Sequence, residues 1–176
     1  MKKAIILFLS ISLLSACSLM KKQTKKASPE ASAAFDTTQL KIKVAYSSPS
    51  KKGRLIFGEE KDKALQPYGK YWRLGANEAT WIEFSDDVIF GGKDVKAGKY
   101  SIYAYPGPEE WEIALGKKWD VWGYEEPKKR NEVLRIKVIA DNNAPIRENL
   151  RIGFDESIHL IIHWDTVELK IPIKKK

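Results

Sequence analysis

The chain has 176 residues with six tryptophans and a single cysteine, which leaves no partner for a disulfide and no thiolate zinc site. Its net charge of +8 lies at the ends: residues 1–35 carry six lysines and one glutamate, and 174–176 are all lysine. The region 36–173 has equal numbers of basic and acidic residues. A nucleic-acid-binding domain would concentrate positive charge on its folded face, so we expect no nucleic-acid partner.

The first element in chain order is a predicted export signal. Lys2 and Lys3 precede an apolar run at 4–14, which is too short to span a bilayer comfortably. The residues LSAC that follow resemble the lipobox of bacterial lipoproteins, whose cysteine receives a lipid and becomes the first residue of the mature chain. We therefore predict a lipoprotein signal peptide at 1–16 and lipidation at Cys17, with an ordinary cleaved signal peptide as the alternative.

Lipidation would attach the protein to a membrane of the bacterial cell envelope, facing the periplasm or the exterior. Ser18, directly after the cysteine, favours the outer membrane. Residues 17–35 are poor in large apolar side chains and rich in Lys, Ser and Ala, which predicts a flexible tether. The lysines of this tether either attract an anionic leaflet or only keep the spacer solvated.

Residues 36–176 are predicted to form one all-β domain. Apolar and polar residues alternate with period two in QLKIKVAY (39–46), VLRIKV (133–138) and TVELKIPI (166–173). Turn residues separate further short strand-like segments, and no long helical pattern intervenes. This pattern predicts a single antiparallel β-sandwich-like domain, in which Pro172 indicates a last strand at a sheet edge.

The segment YWRLGANEAT (71–80) has two interpretations. As a structural element it is a tight turn, with φ > 0 at Gly75 and Asn77 and a buried Arg73–Glu78 pair that fixes the strand register. As a site, Arg73 is an anion clamp, Asn77 a hydrogen-bond donor, and Glu78 an acid, a base or a ligand contact. Both interpretations stay open at this stage.

The basic loop SSPSKKGR (47–54) contains a second candidate contact, Arg54. The loop has neither a nucleophile-elbow pattern nor a phosphate-binding P-loop pattern. Arg54 can contact a phosphate or a sugar acid. The alternative is a basic loop with a β-turn at Pro49.

Aromatic residues in WDVWGYEEP (119–127) form a third candidate site. Trp119 and Trp122 have carboxylates as sequence neighbours, and sugar-binding surfaces combine aromatic faces with such groups. The alternative is that most of the tryptophans fill the core or cover its ends.

The two histidines, His159 and His163, lie four residues apart in an alternating segment that predicts a strand. On a strand this spacing places them on one face but about 13 Å apart, too far to share one metal ion. We therefore predict no metal site. Nothing in the sequence marks a serine and an aspartate that would complete a catalytic triad with either histidine.

Several motifs together carry a family resemblance. These motifs are WRLGANEAT, FGGKDVKAGKYSIYAYPGPEEWEIAL (90–115), SPSKKGRLIFG (48–58) and Trp122-Gly123. They resemble a bacterial family recorded as domain of unknown function 2911. The resemblance runs from about Ser47 to the C-terminus. It implies an exported, mostly β domain whose relatives are often lipoproteins, and it supplies no established activity.

Three functional hypotheses follow. The leading one is a non-catalytic binding or envelope-associated module for a carbohydrate or a small acidic ligand, with no cofactor and with no protein partner identified. The second is a hydrolase of envelope carbohydrate or ester substrates that uses Glu78 as acid or base. The third is a purely structural assembly partner of another envelope protein. The candidate ligand-binding residues are Arg54, Arg73, Asn77, Glu78, Trp119 and Trp122.

Overall fold

A computed structural model describes residues 23–176; the predicted signal peptide, the predicted lipidation site Cys17 and the first part of the predicted tether lie outside the described residues. Residues 23–27 are helical, and two short 3-10 turns occur at Glu60–Asp62 and Lys129–Asn131. The strands are β1 (Glu30–Asp36), β2 (Lys41–Ser47), β3 (Phe57–Gly58), β4 (Gln66–Pro67), β5 (Trp81–Phe84), β6 (Val88–Phe90), β7 (Lys93–Val95), β8 (Gly98–Tyr105), β9 (Glu110–Gly116), β10 (Glu132–Asp141), β11 (Arg147–Phe154), β12 (His159–Asp165) and β13 (Val167–Lys175).

Nine of these strands form one continuous antiparallel sheet. Their spatial order is β1-β2-β5-β8-β9-β10-β13-β12-β11. The β6–β7 hairpin joins this sheet because β6 pairs with β13, whereas β3 and β4 form a small parallel pair of their own. The fold is therefore all-β and antiparallel, as the sequence predicts, and its one large sheet is nearly barrel-like.

The period-two alternation explains which face of each strand is buried. In β2, Ile42, Val44 and Tyr46 are buried while Lys41 and Lys43 are exposed. The buried positions of β10 and β13 alternate in the same way. Burying a side chain of this size contributes about 1.5–3 kcal/mol to the free energy of unfolding. A shift of register by one residue would move all of these side chains to the exposed face, and these contributions would be lost.

The sheet curves until its two end strands meet. β1 and β11 lie against each other, and the rings of Phe35 and Phe154 are 6.4 Å apart between them. The chain just after β2 also lies against β11, because the backbone N–H of Lys51 donates to the carbonyl oxygen of Glu148 at 2.7 Å. The loop that contains SSPSKKGR thus begins where the sheet closes on itself.

The N-terminal boundary of the domain differs from the prediction. The sequence predicts a tether over 17–35 and a domain from 36, but β1 occupies the end of that tether and pairs along its whole length with β2. Ala31, Ala33 and Phe35 are half-buried and pack on the core. Small alanines give only a weak apolar alternation, which the Lys, Ser and Ala composition of the tether conceals.

The last strand is internal and does not form a sheet edge. β13 pairs with β12 on one side and, on its other side, first with β10 and then with β6. Pro172 lies at this change of partner, after the residues opposite β10 and just before Ile173, which is the first residue opposite β6. A proline has no N–H to donate, and it is tolerated here because the ladder is interrupted at this point.

An aromatic cluster fills one part of the core. The ring of Phe57 lies 4.7 Å from Trp111, 5.5 Å from Trp72 and 6.0 Å from Trp164, each in an edge-to-face arrangement. Such pairs add about 0.5–1.5 kcal/mol beyond the area that they bury. Three of the six tryptophans are therefore core residues.

The residues of the buried apolar cluster lie at positions from Leu40 to Ile173 in the chain. The described residues therefore contain a hydrophobic core of their own, which is what a domain needs in order to fold independently. Within 23–176, no helix has the length and apolar character needed to cross a bilayer.

Candidate functional site

The WRLGANEAT turn (72–80) uses two buried polar side chains to hold its own shape. The carboxamide nitrogen of Asn77 donates to the carbonyl oxygen of Ser28 and to the hydroxyl of Ser47, at 3.3 Å each. The hydroxyl of Thr80 donates to the carbonyl oxygen of Leu74 at 2.9 Å. A buried polar group without such partners would cost about 1–3 kcal/mol, so these two side chains stabilise the turn.

The backbone of the turn differs from the prediction at one position. Positive φ occurs at Leu74 (51°) and Asn77 (60°), and Gly75 is not among the positive-φ residues. Gly75 is needed for space instead. A Cβ there would lie 2.9 Å from the hydroxyl of Thr80 and 3.0 Å from the carbonyl oxygen of Ser47.

The predicted Arg73–Glu78 pair is replaced by separate partners. The guanidinium of Arg73 donates to the carbonyl oxygen of Asn77 at 2.6 Å. The carboxylate of Glu78 is partly exposed and lies 2.9 Å from the ammonium nitrogen of Lys25. The two residues also line different cavities, so the turn separates them.

A cleft of about 720 Å³ opens where Arg73 lies. The buried indoles of Trp72 and Trp164 form part of its lining, together with the cationic residues Lys52, Arg54 and Arg73. No aspartate or glutamate of the described residues lines it. Three cations without a carboxylate give a positive local potential that attracts anions. We call this cavity the cationic cleft; its lining also includes Tyr71, Asn77, Trp122 and Tyr124.

Burial changes the ionisation of two groups in the cationic cleft. It lowers the pKa of the Arg73 guanidinium, while the neighbouring phenols of Tyr71 and Tyr124 act in the opposite direction. Burial also raises the pKa of Tyr71 to about 12, so this phenol stays protonated at neutral pH. Arg73 has thus lost hydration while keeping a protein carbonyl as its hydrogen-bond acceptor. A bound anion would restore charge-assisted hydrogen bonds to it.

Arg54 lies on the exposed loop that borders the cationic cleft. Its guanidinium donates to the carbonyl oxygens of Lys51 at 2.9 Å and Ser50 at 2.5 Å. The same loop is fixed to β11, since the backbone N–H of Lys52 donates to the carboxylate of Glu148 at 2.8 Å. The guanidinium of Arg54 is therefore held by carbonyl groups of its own loop, and the backbone of this loop is fixed at Lys52.

A second cavity of about 680 Å³ adjoins the cationic cleft and shares Trp122 with it. We call it the tryptophan groove. The ammonium of Lys99 lies 3.5 Å from the ring centre of Trp81 and 3.8 Å from that of Trp119, so it occupies the space between the two indoles. The groove is lined by Trp81, Trp119 and Trp122 and by the carboxylates of Glu30, Glu78 and Asp120.

The helical residues 23–27 bring a cation to two of these carboxylates. The ammonium nitrogen of Lys25 lies 2.9 Å from an oxygen of Glu30 and 2.9 Å from an oxygen of Glu78. The two carboxylate oxygens are therefore separated by no more than twice that distance. Hydrogen bonds to Glu30 and Glu78 raise the pKa of Lys25, so its charge persists at neutral pH.

The structure divides the predicted ligand residues between two neighbouring cavities. The loop 117–131 passes beside the turn, where Trp122 forms a β-bridge with Glu78. Both cavities are thus built on the same turn and the same loop. Arg54, Arg73 and Asn77 line the cationic cleft, Glu78 and Trp119 line the tryptophan groove, and Trp122 lines both.

The two histidines lie on β12, as the alternation predicts. His159 is paired with the carboxylate of Asp155 at 2.8 Å. His163 is buried, with Arg147 at 3.2 Å and the carbonyl oxygen of Pro145 at 2.9 Å from its two ring nitrogens. Across residues 23–176, no group of three or more His, Cys, Asp or Glu side chains is arranged to hold a metal ion.

The two cavities also contain residues that are not among the predicted ligand contacts. Lys52 and Tyr71 lie within the candidate motifs SSPSKKGR and YWRLGANEAT, so membership of these motifs is a usable signal for them. Tyr124 is the third aromatic of WDVWGYEEP. Glu30 and Trp81 carry no such signal, because they meet only through the pairing of β1 and β5 with β2.

These observations define an all-β fold of residues 23–176 with two adjacent cavities on one turn. The model of a family described as protein of unknown function (DUF2911) matches residues 28–173, so the chain belongs to this family, as its motifs predict. The matched region includes all of β1, in agreement with the domain boundary in the structure. Neither a curated protein nor a solved structure matches the chain.

Proposed function

We propose that this chain is a lipid-anchored, extracytoplasmic binding protein whose cationic cleft takes a small acidic ligand. The proposal rests on the charge of the cleft lining. Lys52, Arg54 and Arg73 line the cleft, and no carboxylate of the described residues lines it. A guanidinium presents its N–H groups in a planar fork that matches a carboxylate or a phosphate. The lining also includes the exposed aromatics Trp122 and Tyr124, and rings of this kind can stack on the rest of a ligand.

The candidate residues have different roles in this proposal. Arg73 is the central anion contact because it is half-buried and desolvated. Arg54 is exposed and supplies a second positive charge at the loop. Asn77 acts as a positioning residue, since its side-chain N–H groups are directed at Ser28 and Ser47 and its carbonyl oxygen holds Arg73.

The test is a thermal shift assay of residues 23–176 with inorganic phosphate, glycerol phosphate, citrate and sugar acids. At one hundred times its Kd, a ligand stabilises by about 2.7 kcal/mol, which raises the Tm of a domain of this size by about 5–10 °C. We expect such a shift with at least one anion, and we expect Arg73→Gln and Arg54→Gln to reduce it. Arg151→Gln, on an exposed residue outside the cleft, is the matched control. An absent shift, or an equal shift in all variants, contradicts the proposal.

The lipid anchor is the second part of the proposal. Its support is the LSAC motif, in which Cys17 follows an apolar run preceded by lysines. Mass spectrometry of the mature N-terminus after expression in bacteria should find a diacylated Cys17. The Cys17→Ser protein should lack the lipid and leave the membrane fraction, and a wild-type protein that remains unlipidated contradicts this part.

The tryptophan groove supports a second candidate function, hydrolysis of envelope carbohydrate. Glycosidases use two nearby carboxylates, and Glu30 and Glu78 share the ammonium of Lys25 in a cavity lined by indoles. In this alternative Glu78 is the acid or base. Release of reducing ends from envelope glycans, with loss of this activity in Glu78→Gln, would support it; a wild-type protein that releases none would contradict it.

A further inference from the structure

Exposed apolar side chains concentrate around the mouth of the cationic cleft. Leu65, Trp122 and Tyr124 line the cleft and are 36%, 39% and 76% exposed. Leu55, next to Arg54, is exposed as well, whereas Val121, next to Trp122, lines the tryptophan groove. Leu65, Trp122 and Tyr124 together give the mouth of the cleft an apolar rim.

The rim is both cationic and aromatic. Lys52 and Arg54 are exposed beside Leu55, and Trp122 and Tyr124 lie along the same cavity. Tryptophan and tyrosine are enriched where proteins meet the headgroup layer of a membrane, because each side chain combines a large apolar ring with one polar N–H or O–H group. Basic residues are attracted to anionic headgroups. This combination differs from an ordinary solvated surface, which exposes apolar residues singly.

The path of the chain places this rim close to the predicted anchor. Thr24, Ala27 and Ser28 line the cationic cleft, and the side chain of Asn77 donates to the carbonyl oxygen of Ser28. Cys17 is seven residues before Thr24, and an extended chain of that length spans about 25 Å at most. A lipid on Cys17 would therefore hold the mouth of the cleft within about 25 Å of the bilayer.

We propose that the ligand of the cationic cleft is the headgroup of an anionic phospholipid, and that the apolar rim docks on the membrane that carries the anchor. The phosphate binds at Arg73 and Arg54, while Trp122, Tyr124 and Leu65 enter the headgroup layer. This inference rests on the proposed function, because it assigns a ligand class to the same cleft. It adds an orientation, with the cleft facing the bilayer.

The experiment uses residues 23–176, which contain the buried apolar cluster but neither Cys17 nor the apolar run of the predicted signal. The protein is sedimented with vesicles made of equal parts phosphatidylglycerol and phosphatidylcholine, and with vesicles of phosphatidylcholine alone. We expect binding to the anionic vesicles that weakens as salt rises, because the Debye length falls from about 10 Å at 0.1 M to about 3 Å at 1 M.

Two variants test the rim and one tests the rest of the surface. Arg54→Glu should weaken partitioning at least fivefold, about the factor that one basic residue contributes near an anionic surface. Tyr124→Ser, at an exposed position, should weaken it without changing the charge. Lys174→Glu is the charge-matched control: Lys174 is exposed and lies near the end of β13 that pairs with β6, whereas Trp164 of the cleft lies beside the other end. This control should bind as the wild type does.

The outcomes separate the inference from the proposed function. Equal binding to both vesicle types overturns the inference, and so does a Lys174→Glu loss as large as that of Arg54→Glu, since the C-terminal lysines would then account for the attraction. Absent vesicle binding together with stabilisation by soluble glycerol phosphate overturns the inference and leaves the proposed function standing. Absent vesicle binding, together with no thermal shift from any of the soluble anions, overturns both.

Discussion

At Asn77, the backbone and the side chain hold three parts of the chain together. Its carbonyl oxygen accepts from the guanidinium of Arg73 at 2.6 Å and from the backbone N–H of Gly123 at 3.2 Å. Its side chain donates to Ser28 and Ser47. The turn, the loop 117–131 and the N-terminal segment therefore depend on one residue with φ of 60°.

We expect Asn77→Ala to lower the free energy of unfolding by about 2–3 kcal/mol. Alanine loses the hydrogen bonds and must also adopt a left-handed conformation, which costs about 1–2 kcal/mol. Asn77→Gly is the matched control, because it loses the same hydrogen bonds without the backbone strain and should cost about 1 kcal/mol less. Urea denaturation of residues 23–176 measures both. Equal losses in the two variants would contradict the strain argument.

At this scale, the sequence predicts which residues matter but not the direction in which they point. The crowding of Arg73, Asn77 and Glu78 beside a glycine predicts a polar turn, and the structure contains one. The partners of Asn77 are 49 and 30 residues away in the chain, at Ser28 and Ser47, so local patterns hold no information about them. The role of Asn77 in holding the turn to Ser28 and Ser47 can therefore be seen only in the folded structure.

Among the elements, β1 decides where the domain begins. We expect a chain that starts at residue 37 to be at least about 2 kcal/mol less stable than one that starts at 28, because it loses the half-buried Phe35 and the ladder with β2. The comparison of residues 23–176 with 28–176 is the control, since both keep β1. Urea denaturation gives the free energies, and equal midpoints for chains that start at 28 and 37 would show that β1 contributes nothing.

On β8, β9 and β10, an ionic network gives a pH-dependent contribution. Arg135 donates to the carboxylates of Glu112 at 2.6 Å and Glu132 at 2.7 Å, and the hydroxyl of Tyr103 donates to Glu132 at 3.1 Å. Burial acts to raise the pKa of Glu132, but the hydrogen bonds and charge of Arg135 exceed it, so the pKa is lowered overall. The unfolded state then binds the proton more tightly, and the stabilisation is lost as the pH falls through the lowered pKa.

We expect Glu132→Gln to destabilise the domain by about 1–2 kcal/mol at pH 7 and by progressively less below about pH 4. Glu110→Gln is the control, because the pair of Glu110 with Lys137 is largely exposed and should contribute less than about 1 kcal/mol. Chemical denaturation at pH 7 and pH 3 measures both variants. A Glu132→Gln loss that is as large at pH 3 as at pH 7 would contradict the argument.

Strands with strong alternation are predictable, and those whose pairing depends on distant partners are not. β2, β10 and β13 follow from their sequence pattern alone. β1 is hidden by its alanines and serine, and its contribution comes from lying between β2 and β11. Pro172 misleads for a related reason: a change of partner strand makes a proline acceptable inside the sheet, and no local pattern shows that change.

For the whole molecule, the central feature is the division of the predicted site into two cavities. The sequence places Arg73 and Glu78 in one short segment, but folding assigns the first to the cationic cleft and the second to the tryptophan groove. Trp122, 44 residues after Glu78 in the chain, forms a bridge with it and joins both cavities. The choice between an acidic ligand and a carbohydrate therefore becomes a choice between two locations.

The indole N–H signals of the tryptophans distinguish these locations directly in a ¹H–¹⁵N NMR titration of residues 23–176. Trp72 and Trp164 line the cationic cleft, Trp81 and Trp119 line the tryptophan groove, and Trp122 lines both. With glycerol phosphate as the probe, we expect the signals of Trp72 and Trp164 to shift in the wild type and to stay fixed in Arg73→Gln. Shifts confined to Trp81 and Trp119, or no shift at any concentration that the protein tolerates, would contradict binding in the cationic cleft.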